Sequence, residues 1–189
     1  MNATTRNHVL DLAAPITRWD EALPLGNGEM GCLVWGEGDG VRLSLDRGDL
    51  WDLRPPERFL QPDWNWQTLC RLVSEGRQDS IVDMFEKPYL QCPHPTKIPA
   101  GRIELTLDRS VTVASFDLDL RRAVGAARWH EGVCQVFCSA TAKVGVARVT
   151  GSGVRITVVP PAFGGSADTR KLATLGYPPP AMGRRANLQ

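Results

Sequence analysis

A period of two in the apolar residues constrains this chain more than any other feature. Val41, Leu43 and Leu45 alternate with Arg42, Ser44 and Asp46. Ile103, Leu105 and Leu107 alternate with Arg102, Glu104, Thr106 and Asp108. Phe116, Leu118 and Leu120 alternate with Asp117, Asp119 and Arg121. Successive side chains of a strand point to opposite faces, so this pattern fits strands with one face on a core and one in water. Gly31 to Gly36 encloses a short apolar run that reads as a buried strand, and Glu37 to Gly40 reads as the turn of a hairpin. Further on, Val133, Gln135 and Phe137 share one face of a run whose other face holds Cys134, Val136 and Cys138. Val144 and Val146 follow, then Val154, Ile156 and Val158. Short strands at near-regular spacing with polar turns predict a mainly β fold, an antiparallel β-sandwich.

Residues 63–87 break the pattern. Trp66, Leu69, Leu72 and Val73 follow helical spacing, with Asp63 able to cap the start and Gly76 to stop it. Ile81, Val82 and Phe85 suggest a second short helix that Pro88 closes. Pro93, Pro95 and Pro99 make Tyr89 to Gly101 a loop. The stretch from Pro160 is proline-rich and does not alternate. The reading is therefore a sandwich domain over 1–160 with a short helical insertion. Residues 161–189 are then a tail, expected to be poorly ordered, or the truncated remainder of the same domain.

Composition narrows the function classes. Lys+Arg 22 against Asp+Glu 21 leaves a net charge of +1, which offers no electrostatic footprint for nucleic acid or an anionic membrane. No apolar run approaches the ~20 residues of a membrane span. Met1 to Asp11 shows no signal peptide, and five cysteines, an odd number, fit free thiols in a reducing cytoplasm.

Several motifs invite chemistry. Gly26-Asn27-Gly28-Glu29-Met30-Gly31 spells a dinucleotide fingerprint, but that fingerprint needs a strand before it and a helix after it. Pro24 precedes it and a strand follows, so a tight loop is expected and no nucleotide cofactor. His130, Cys134 and Cys138 could suggest a metal. A four-residue step on a strand spans about 13 Å, far beyond the roughly 2 Å reach of a zinc ligand, so no metal site is read. Asp46, Asp49 and Asp52 surround Trp51, and Glu21 stands near the glycine segment in sequence. Glycoside hydrolysis uses two carboxylates across one sugar bond, and an aromatic ring suits a sugar face. The same residues also fit solvated turns around a packed tryptophan. Trp64 and Trp66 fit the packing of the helix onto the sheet better than a sugar platform.

Trp19 to Gly31, with Ala22-Leu23-Pro24-Leu25-Gly26-Asn27-Gly28 at its centre, resembles the amino-terminal domain of glycoside hydrolase family 95, which typically reads W-x-x-A-L-P-L-G-N-G-x-L-G there. Cys32 to Gly36, Leu45 to Trp51, the helical stretch Trp66 to Phe85, Pro99-Ala100-Gly101, Leu118 to Ala123, Gly132-Val133 and Cys138-Ser139-Ala140 are also similar. The resemblance spans residues 16–160. It implies a supersandwich-like accessory domain of an enzyme acting on α-L-fucosyl or related α-L-galactosyl glycans. It also implies a partner (α/α)6 barrel that carries the catalytic residues and that this sequence does not contain. No catalytic residue is therefore assigned to this chain. Trp19, Glu21, Asn27, Asp46, Asp49 and Trp51 become candidates for substrate binding or for a domain interface. Many members carry N-E-D-[TS]-L-W where this chain has Asp46-Arg47-Gly48-Asp49-Leu50-Trp51, which resembles a divergent branch. A stand-alone carbohydrate-binding sandwich and an inactive structural fragment remain the other readings.

Overall fold

The computed structural model describes residues 8–162, 172–179 and 181. The chain divides into two compact units, one built from residues 1–50 and 99–161 and the other from 51–98 and 162–189.

The first unit is the β-sandwich. One sheet has the order β1 (Val9–Ala13), β8 (Val113–Asp119), β9 (Val124–Trp129), β10 (Gly132–Cys138), β11 (Gly145–Thr150). The other has the order β12 (Arg155–Val159), β7 (Arg102–Thr106), β4 (Gly40–Arg47), β3 (Met30–Glu37), β2 (Leu23–Gly26). Every pairing is antiparallel. The alternation read from sequence sets the faces: Val41, Leu43 and Leu105 are buried, as are Phe116, Leu118, Cys134 and Val136. With Leu23, Leu25, Val34 and Trp129 they form one core. Phe116 at its centre is 0% exposed, and burying a side chain of that kind is worth roughly 1.5–3 kcal/mol.

Two strands escape an alternation reading. In β9 the inward positions Gly125 and Ala127 are small, while the large inward Trp129 stands at the strand's end. A Cβ on Gly125 would stand 3.0 Å from Leu25 Cδ1. Strand β2 contains Pro24, which has no N–H to give, and it lies at the edge of its sheet where none is needed on the outer side. Gly36 marks a close approach, since a Cβ there would stand 2.1 Å from the Gly40 carbonyl oxygen.

The second unit holds the helices. Helix α1 spans Trp66–Ser74, and its cap is Asn65, whose side chain accepts from the Thr68 N–H. Asp63, the expected cap, instead accepts from Arg58 at 2.6 and 2.9 Å. Gly76, at φ +66°, follows the helix end as expected. Next come α2 (Gln78–Ile81), a π turn (Val82–Glu86) and α3 (Lys87–Gln91). Pro88 therefore does not close the helix. It lies in the first turn of α3, and the widened turn before it relaxes the ladder that a proline would interrupt. The expected loop from Tyr89 accordingly begins later, and it contains a short strand, β6 (Thr96–Lys97), paired with β5 (Trp51–Asp52). Leu172–Leu175 forms a 3-10 turn with Leu175 buried, so this part of the carboxyl end is packed where poor order was expected. Residues 163–171, 180 and 182–189, the remaining test of that expectation, lie outside the described residues. Among the described residues no helix is long and apolar enough to cross a membrane.

Candidate functional site

The glycine segment forms the β2–β3 hairpin loop, and no helix follows it. Gly26 pairs with Gly31, and Gly28 adopts φ +87°, a conformation that favours glycine. Asn27 organises the loop from within. Its Oδ1 accepts from the N–H groups of Glu29 at 3.1 Å and Met30 at 2.8 Å. Its Nδ2 donates to the carbonyl oxygens of Ser139 at 2.7 Å and Ala142 at 3.3 Å. Those carbonyls lie in the β10–β11 loop, so Asn27 ties one sheet of the sandwich to the other. Lys143 of that loop pairs with Glu29 at 2.7 Å. The N–H of Gly48 donates to the Glu29 carbonyl at 2.7 Å, joining the end of β4 to the same place.

Charges gather at this end of the sandwich. Arg47 donates to both oxygens of Asp49, at 3.0 and 2.7 Å. That guanidinium holds the Asp49 carboxyl below its ordinary range, with a smaller contribution from the Lys143 ammonium. Asp46 stands opposite Gly31 across the β3–β4 pairing, with its Cβ 3.5 Å from where a Cβ on Gly31 would be. Asn27, Asp46 and Asp49 thus belong to one end of the sandwich.

Trp19 and Glu21 do not join them. They form a 3-10 turn before β2, and that strand's four residues, roughly 13 Å of chain, separate them from the Asn27 loop. Trp19 is 64% exposed. Glu21 lies 3.9 Å from Arg18 Nε, which also binds Asp20 at 3.0 Å.

A family model described as "Glycosyl hydrolase family 65, N-terminal domain" matches residues 10–160. The chain belongs to that family. Among curated proteins none matches it. The resemblance read from the glycine segment therefore holds at the level of a glycoside hydrolase amino-terminal accessory domain, and the family number is 65 in the matched model.

Within this glycosyl hydrolase domain Trp51 belongs to the second unit. It is partly exposed on β5, with the Lys97 ammonium 5.5 Å from its ring centre. Asp52, its neighbour in the acidic cluster, is the buried carboxylate among the described residues, at 2% exposed. Arg54 grips it through Nε at 2.9 Å and Nη2 at 2.5 Å, and donates onward to the Leu175 carbonyl at 2.6 Å. The Tyr177 hydroxyl approaches Asp52 at 3.4 Å. The guanidinium holds the Asp52 carboxyl far below its ordinary range. His94 faces the Arg54 carbonyl oxygen through Nδ1 at 2.7 Å, with the Cys92 sulfur 3.5 Å from the ring nitrogens. Asp52 and Arg54 sit two residues apart, so their pairing was open to sequence reasoning. The partners Leu175 and Tyr177 were not.

Four described carboxyl groups have a clearly displaced proton affinity: Asp20, Asp49, Asp52 and Asp63. Each is displaced downward, with a nearby arginine as the largest cause. A general acid for glycoside cleavage needs the opposite displacement. The buried thiols are quiet in their own way. Burial pushes Cys32 up to about 12 and Cys134 up to about 11, so both stay protonated at neutral pH. Cys134 faces the core while His130 is exposed beyond the end of β9.

Proposed function

We propose that this sandwich is a non-catalytic accessory domain that supports a glycoside hydrolase acting on α-L-fucosyl or related glycans, with catalysis in a partner (α/α)6 barrel. The observation that supports the reading is the match of residues 10–160 to a glycosyl hydrolase amino-terminal domain family. Asp49 and Asp52, each gripped by a neighbouring arginine, are also poorly placed to hold the proton that a leaving sugar oxygen needs. The fucosyl direction rests on the glycine segment and its similarity to family 95. The Asn27 loop is braced at both sheets, so it can present Glu29, Asp46 and Asp49 to a sugar or to the barrel without rearranging. The purified chain is expected to show no turnover of an aryl α-L-fucoside. Turnover that disappears in Asp46→Asn or Glu21→Gln would overturn the reading and make the sandwich itself catalytic.

The family 65 description of the matched model favours a second reading, in which the parent enzyme acts on that family's substrates instead. Titration with a panel of fucosylated and non-fucosylated glycans, read by tryptophan fluorescence, separates the two. Saturation by the fucosylated members alone supports the first. Saturation by the others alone supports the second.

A further inference from the structure

Strands β3 and β10 meet the Asn27 loop and its partners at one end of the sandwich. At the other end of the same strands lie two adjoining clefts. The smaller, of 40 Å³, has Trp129, Glu131, Ser152 and Asp108 in its wall. The larger, of 420 Å³, is bounded by Asp39, Asp108, Arg109 and Arg155. Asp108 belongs to both.

Trp129 shows what the smaller cleft is open to. Its ring is part of the core and 7% exposed, yet no described residue accepts its indole N–H. A buried indole ordinarily finds a partner for that group. Two glycines keep the N–H uncovered: a Cβ on Gly132 would stand 2.1 Å from Nε1, and one on Gly151 3.4 Å from it. The cleft has room for a water molecule or a hydroxyl group, and none for a sugar ring.

The larger cleft is lined by charges that are not used up on one another. Asp39, Arg109 and Arg155 make no ion pair or side-chain hydrogen bond among the described residues, whereas Arg47, Arg54 and Arg128 each hold a carboxylate. Three separate segments bring them together: the turn after β3, the loop after β7 and the start of β12. Backbone bonds fix that frame, since the Leu107 N–H donates to the Asp39 carbonyl oxygen and the Val113 N–H to that of Gly38, both at 2.8 Å. Two carboxylates offset two guanidiniums, so the cleft favours neither an anion nor a cation. A hydroxyl group donates to the first kind and accepts from the second. The ligand that uses all of them is a neutral polyol.

We propose that this end of the sandwich binds one neutral pyranose unit, with the ring in the larger cleft and one hydroxyl accepting from the Trp129 N–H in the smaller. Asp39 and Asp108 accept from the ring hydroxyls, and Arg109 and Arg155 donate to them. The choice of a sugar among polyols rests on the carbohydrate reading above. The clefts and their open donor do not. The site is separate from the Asn27 loop, at the far end of the strands that carry it.

Titration of the ¹⁵N-labelled chain with methyl α-L-fucoside and methyl α-D-glucoside, followed through the indole N–H signals, tests the proposal. The expected result is a saturable shift of the Trp129 signal with at least one of the two. Binding is expected to weaken at least tenfold in Arg155→Ala, a change at an exposed position whose folding is checked by circular dichroism. Glucuronate and glucosamine, the charged counterparts, are expected to bind at least tenfold more weakly than the neutral sugar. Binding that moves other indole signals but not that of Trp129, or that is indifferent to Arg155→Ala, would overturn this site and leave a glycan-binding domain standing. An equal shift with glycerol would overturn it as well, by showing an unselective polar cleft. A Trp129 signal that no sugar moves would overturn the site, while the accessory reading would still stand on the absence of turnover.

Discussion

The sandwich and the helical unit are stabilised by different physics. In the sandwich, more than a dozen apolar side chains from two sheets are buried against one another. In the helical unit the buried apolar residues among the described ones are Pro56, Leu72 and Leu175, and the aromatic rings of Phe59, Trp64 and Phe85 lie against one another half-exposed. A carboxylate–guanidinium pair, Asp52 with Arg54, stands where a larger unit would have more core. Apolar burial grows with the area removed from water and tolerates no gaps. A buried carboxylate held by a half-exposed guanidinium stays satisfied only while that partner is present. The first unit should therefore fail at a single cavity, and the second at a single charge.

Four experiments break or sharpen this contrast. Phe116→Ala should have the largest effect, about 3–5 kcal/mol, seen as a lower urea midpoint for the sandwich. A loss under 1 kcal/mol would mean that the core is not the main support of that unit. Asn27→Ala removes the tie between the β2–β3 and β10–β11 loops and should cost about 1–2 kcal/mol. Asn27→Asp keeps the acceptor oxygen and loses the donor, so it should fall between the wild type and the alanine variant. Asp52→Asn should act locally: hydrogen exchange rises over residues 52–54 and 172–177 while the sandwich stays protected. The pair also sets a pH dependence. The folded-state carboxyl is displaced downward, so its stabilisation is complete above the ordinary carboxylate range and is lost only as pH falls through the lower folded value, in strong acid. Loss of exchange protection in those segments near pH 5 would contradict this. Trp66→Ala, at a side chain 71% exposed, should be the smallest effect, within about 0.5 kcal/mol. A larger loss would show that the helix surface is part of a packed structure.

The sequence was legible where a local rule acted alone. Strands β4, β7, β8 and β10 follow the alternation because each buries one face and wets the other, and β12 carries the same alternation with its apolar face exposed. Strand β9 was hidden because the inward Gly125, small enough to admit Leu25, and the inward Ala127 flank an equally small outward Ala126, so no alternation shows. Strand β2 was hidden by Pro24, whose position at an edge is a fact of topology. Pro88 misled because a π turn, invisible to a 3.6-residue pattern, absorbs its cost. At the candidate site the glycine segment pointed to Asn27, but its partners Ser139 and Ala142 lie more than a hundred residues away, and no local pattern connects them. The same holds for Leu175 and Tyr177 at Asp52.

The place where the helical unit enters and leaves the sandwich has a consequence for how this chain can vary. Strands β4 and β7 are direct neighbours, and the Leu45 N–H donates to the Gly101 carbonyl at 2.9 Å, so the two points of attachment lie side by side. To the sheet, residues 51–98 are one very long hairpin connection. The entropy of closing such a connection rises only slowly with length, by about 0.6 kcal/mol for each doubling. Lengthening this segment is therefore cheap for the strand order around it, whereas removing it would take Asp52 and Arg54 away from Leu175 and Tyr177. That makes it a natural point for grafting a new surface onto the sandwich.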